Sequence, residues 1–113
     1  MHTLRLALPV TLALALVGGL CLADDPKTPL GKWMKPNMGA PMAGSDFDTL
    51  KKSFDLVGSR PPGAAYPNWA TLSKQGSTAA AAQDLSGVKA ACKGCHDQYK
   101  QNYIKDFPAT PFP

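Results

Sequence analysis

The chain has 113 residues, 12 Lys+Arg against 8 Asp+Glu for a formal charge of +4, and 44% hydrophobic content. That length is one small domain with little room for a deep core of its own. The basic residues are scattered, which reads as a solvated surface, and no nucleic-acid partner is expected. Every acidic residue is an Asp, and their spread suits helix caps and surface better than a general acid–base pair, so no enzymatic activity is expected.

Arg5, the apolar run Leu6 to Leu20 and then Cys21-Leu22-Ala23 ahead of Asp24-Asp25 have the layout of a secretory signal peptide. Cleavage is expected after Ala23, dividing the chain into a signal, 1–23, and a domain, 24–113. The apolar run is about 15 residues, short of the roughly 20 that span a bilayer, so no stable membrane insertion is expected once it is removed. Bulky Leu20 argues against a lipid anchor on Cys21. His2 and Cys21 leave with the signal, making His96 the one histidine of the domain.

Thr28-Pro29 predicts a helix start, with Thr28 as N-cap and Pro29 at the first helical position. Leu30, Trp33, Met34 and Met38 come next at helical spacing, interrupted by Pro36, where a kink or an early end is expected. Gly39 to Gly44 reads as a break. Ser45-Asp46-Phe47-Asp48 resembles a capping box, and Phe47, Leu50, Phe54 and Val57 mark an amphipathic helix closed by Gly58. Ser59 to Pro67, with Pro61-Pro62-Gly63, is a loop. Asn68 predicts a cap for a helix through Trp69, Leu72 and Gly76 to the alanines at 79–82. Gln83-Asp84 reads as a junction, with Asp84 as the next N-cap. Leu85, Val88, Cys92, Cys95, Tyr99 and Tyr103 then keep one face for about five turns, and the tail beyond Phe107 is irregular. No strand alternation and no repeat is found, so the fold class is all-α, a small three- to four-helix bundle.

The last helix carries Cys92-Lys93-Gly94-Cys95-His96, the C-x-x-C-H signature of c-type haem attachment. Residues three and four apart share a helix face, so both cysteines can form thioethers to two vinyl groups while His96 turns its imidazole to the iron. Zinc would need a second ligand pair, which the domain lacks. A thioredoxin-like pair would open a helix after a strand, whereas this motif is embedded in a long helical stretch. The expected cofactor is one covalent haem c, bound by Cys92 and Cys95 with His96 as axial ligand, and a macrocycle of that size adds apolar contact to a small core. Trp33, Phe54, Trp69 and Tyr99 are the candidate haem walls.

Gln83-Asp84-Leu85 followed by Ala91-Cys92-Lys93-Gly94-Cys95-His96-Asp97-Gln98-Tyr99-Lys100 resembles the final helix of the cytochrome c′ family, the class II c-type cytochromes. Tyr66-Pro67-Asn68-Trp69 is similar to the tryptophan-bearing start of the helix before it. In that family four helices enclose a haem held near the C-terminus. The resemblance implies a periplasmic monohaem protein with redox partner proteins, and relatives that often form homodimers.

The family divides by its distal ligand. Met34, in Trp33-Met34-Lys35-Pro36-Asn37, looks like the axial methionine of the low-spin members, which carry single electrons. Met38 is the alternative axial ligand. The other branch leaves the distal face open, which would make the chain a five-coordinate haem protein binding nitric oxide or carbon monoxide.

Overall fold

The computed structural model describes residues 26–113, so the signal expected over 1–23 lies outside the described residues. Those residues form helices and connecting turns with no strand. They fall into α1 (Pro29–Met34), a π-helical turn (Lys35–Gly39), α2 (Ala40–Ala43), α3 (Phe47–Gly58), α4 (Trp69–Ala81) and α5 (Leu85–Asp106). The first three are continuous, so the described residues make four helical rods, in agreement with the all-α bundle read from the sequence.

The start of α1 matches the sequence closely. The Thr28 hydroxyl accepts the Gly31 N–H at 3.0 Å and Pro29 occupies the first turn, where no N–H is needed. At Pro36 the α winding of α1 has already ended, at Met34, but the rod continues. The winding instead opens into the π turn, and the backbone is stitched by side chains. Asn37 Nδ2 donates to the Trp33 carbonyl at 2.8 Å, and Ser53 Oγ of α3 donates to the Asn37 carbonyl at 2.6 Å. In an α-helix that second carbonyl would be served by residue 41, and Pro41 has no N–H to offer. The break expected over Gly39 to Gly44 is therefore corrected to helix, the π turn running directly into α2. Ser45, at φ 52°, makes the real turn.

Asp46 caps α3 by accepting the Thr49 N–H at 3.2 Å. Leu50, Phe54 and Val57 of α3 are buried against α4, joined by Ser53 on the same side. At the crossing, a Cβ on Gly76 would overlap the Phe54 ring, so the glycine is what lets the two helices approach. Trp69 Nε1 donates to the Val57 carbonyl at 2.8 Å and fastens the start of α4 to the end of α3. Asn68 stands at the N-cap of α4 without bonding to it; its side chain donates to Gln98 Oε1 of α5 at 3.1 Å instead.

Gln83, at φ 54°, turns the chain, and Asp84 caps α5 through the Gly87 N–H at 3.0 Å. α4 packs on both α3 and α5, while the π turn and α2 lean on α3. α1 and α5 do not pack closely on each other; a cavity separates them. The irregular tail returns across α1, where Phe112 meets Trp33 edge-on with centroids 4.8 Å apart and Arg60 stands 5.7 Å over the Phe112 ring. No buried side-chain polar atom among the described residues lacks a partner.

Candidate functional site

The space between α1 and α5 is a cavity of about 220 Å³, lined from one side by Leu30, Gly31 and Met34 and from the other by Cys95, His96, Tyr99 and Tyr103, with Trp69 contributing from α4. A second cavity of about 30 Å³ is lined by Met34, Met38, Phe54, Val57, Leu72, Cys92, Cys95 and His96 among others. Met34, Cys95 and His96 line both, so these three stand where the cavities meet.

Local winding accounts for this convergence. Cys92, Cys95 and His96 lie well inside α5, on turns that face α4 and α1, and Tyr99 continues the same face one turn on. A motif in the interior of a helix lacks the helix N-terminus that acidifies redox-active thiols. Burial pushes the Cys95 thiol up to about 11, which keeps it protonated and weakly nucleophilic at neutral pH. Cys92 is 4% exposed, one turn before Cys95 on the same helix face.

Of the side chains singled out from the sequence, Met34, Trp69, Cys95, His96 and Tyr99 come together around the larger cavity, and Phe54, Met38 and Cys92 line the smaller one. Trp33 lines neither and lies under the tail against Phe112. Sequence reasoning passed over Lys27 and Lys35, which with Lys100 make a basic margin to the larger cavity, and over Ile104 in its lining, and it read Thr28 only as a helix cap. Lys35 comes directly after Met34 and Lys100 lies one turn beyond His96, so the spacing of lysines from the two ligand candidates was the available signal.

These donors fit a haem. A thioether, an imidazole and a thiol meet at one apolar space between two helices, flanked by aromatic rings, with ammonium groups at the margin suited to propionates. No cluster of three or more His, Cys, Asp or Glu side chains able to hold a bare metal ion is formed among the described residues. No helix among them is long and apolar enough to cross a membrane. No family model, curated protein or solved structure matches the chain.

Proposed function

We propose that the chain is an exported monohaem c-type cytochrome that carries single electrons between periplasmic redox partner proteins. The observation that carries this reading is the convergence of Met34 from α1 and His96 from α5 on one cavity beside Cys95. On this reading Cys92 and Cys95 tether the macrocycle, His96 is the proximal ligand and Met34 the distal one. Bound there, haem supplies an iron that changes by one unit of charge without breaking any bond. Met34 offers a soft thioether that favours the reduced state and keeps coordination alike in both states, so little reorganisation opposes transfer. Trp69, Tyr99 and Leu30 exclude water from the pocket, and Lys27, Lys35 and Lys100 stand where they balance acidic groups at its mouth.

The test is the visible spectrum of the purified holoprotein, oxidised and reduced, with and without carbon monoxide, alongside the intact mass. A covalent mass gain of one haem with a low-spin spectrum indifferent to the gas is the expected result. A high-spin spectrum that shifts strongly with the gas would replace electron carriage by the second reading, a five-coordinate binder of nitric oxide or carbon monoxide. The apolar 30 Å³ cavity beside Met34 and His96 is what favours that alternative, since a space of that size suits a diatomic ligand. No mass gain would remove both.

A further inference from the structure

We propose that Tyr66 is a redox-active tyrosine, giving an electron through Tyr99 and Trp69 to a one-electron oxidant in the larger cavity while its proton passes to Asp106. The Tyr66 ring is only 4% exposed, yet its hydroxyl donates to Asp106 Oδ2 at 2.9 Å, and Asp106 itself is exposed. A radical formed there is shielded, while the proton leaves toward solvent. Ring contacts lead from the pair to the cavity: Tyr66 lies 5.0 Å from Tyr99 and 5.9 Å from Trp69, centroid to centroid, and both of those rings line the cavity wall.

The other two tyrosines are placed differently. The Tyr99 hydroxyl accepts the Asn68 N–H at 2.7 Å, and no carboxylate takes its proton. Burial pushes the Tyr103 hydroxyl up, and no carboxylate among the described residues accepts its proton. Phenol oxidation is costly unless the proton leaves with the electron, because the protonated radical cation is a very strong acid, so the tyrosine that holds a base is where the oxidising equivalent settles.

The step balances. Tyr66 loses one electron and its O–H bond breaks, an O–H bond forms at Asp106 Oδ2, and the oxidant gains the electron, leaving a neutral phenoxyl radical beside a neutral carboxylic acid. A one-electron reductant of the ascorbate class restores the phenol as Asp106 returns the proton. The oxidant is a haem centre exposed to hydroperoxide, and that use rests on the cytochrome reading, whereas the chemistry of the pair does not.

The experiment is electron paramagnetic resonance on the full chain, freeze-quenched after flash oxidation by photogenerated ruthenium(III) trisbipyridine, and in parallel on the haem-bearing protein after hydrogen peroxide. A neutral tyrosyl signal is expected in both, lost in Tyr66→Phe, kept in Tyr103→Phe, and reduced roughly tenfold in Asp106→Asn. Tyr66→Phe keeps every ring contact, and Asp106→Asn leaves Tyr66 in place, so circular dichroism should match the wild type. Absence of the radical under ruthenium oxidation, its survival in Tyr66→Phe, or indifference to Asp106→Asn would overturn the proposal. A radical under ruthenium alone would overturn the delivery from the cavity; if the purified chain also proved free of haem, it is the cytochrome reading that would fall.

Discussion

Met34 on α1 and His96 on α5 line the same two cavities, although the helices that carry them do not pack closely on each other. What joins the first rod to the last is therefore whatever fills the space between them, and the chain itself contributes side chains to both sides of it.

If the chain is the low-spin cytochrome proposed above, Met34→Ala should turn its haem from six-coordinate, low-spin to a high-spin form that binds carbon monoxide readily. Met38→Ala should leave the spectrum unchanged, because Met38 lines only the smaller cavity. Absorption spectra of the two variants check this, and the reverse pattern would move the ligand to Met38.

On the same cytochrome reading, removing haem should loosen α1 far more than the rest. α3, α4 and α5 keep their own interfaces, centred on Leu50, Phe54 and Val88, whereas α1 faces the cavity. Amide exchange of the haem-free protein should lose protection over Leu30–Met34 first and retain it in α3 and α4. Uniform loss across all helices would contradict this.

Phe112→Ala removes the ring that Trp33 meets and that Arg60 covers. Aromatic pairs of this kind contribute about 0.5–1.5 kcal/mol beyond area burial, so the melting temperature should fall by several degrees. Tryptophan fluorescence should change with it as Trp33 gains solvent. Phe112→Tyr, which keeps the ring, should restore most of the loss.

Gly76→Ala should destabilise the protein although alanine is the better helix former. The propensity gain is about 1 kcal/mol, while forcing a methyl into a filled interface costs about 1–3 kcal/mol. The Phe54 ring, buried and directly in the path of the added Cβ, has to move. Gly44→Ala, whose Cβ would meet nothing nearer than 3.6 Å, is the control, and urea unfolding of both variants checks the difference.

Burial first, and then the bond to Asp106, push the Tyr66 hydroxyl from 10.0 up to about 12. A folded-state value above the unfolded one means that the folded protein holds this proton more tightly. The contribution is thus fully present below the unfolded value and is lost as pH rises through the folded one. Unfolding midpoints should fall between about 10 and 12 in the wild type and less steeply in Tyr66→Phe. An alkaline phenolate titration by absorbance reads the same group directly.

The sequence made legible what depends on short spacing: the Thr28-Pro29 start, the Asp84 cap, the α3 face of Leu50, Phe54 and Val57, and the mid-helix position of the cysteine motif. It misled over Gly39 to Gly44 because glycine and proline usually interrupt a helix. Here the interruption is absorbed by a π turn whose stranded carbonyl is answered by Ser53, sixteen residues away. Nothing local announces such a partner. The same holds for Asn68, whose side chain donates to Gln98 and makes no cap bond to α4, and for Trp33, which helical spacing grouped with the pocket but which the returning tail engages. Long-range contacts made these decisions.

The π turn has one more consequence. Successive residues of an α-helix are offset by about 100° around its axis, so one extra residue would throw the segments on its two sides out of phase unless a wide turn takes it up. Thr28 to Met34 therefore reach the cavity in a phase set by Lys35–Gly39, while α2 and its contacts with α3 fix the other end. Five residues wound in a π turn sweep nearly the angle of four in an α-helix, so deleting one residue from that stretch should rewind it to α geometry and leave Met34 facing the cavity. The direction in which Met34 faces is in this sense buffered by the wide turn, which can take up or give back one residue without turning the wall of the cavity away.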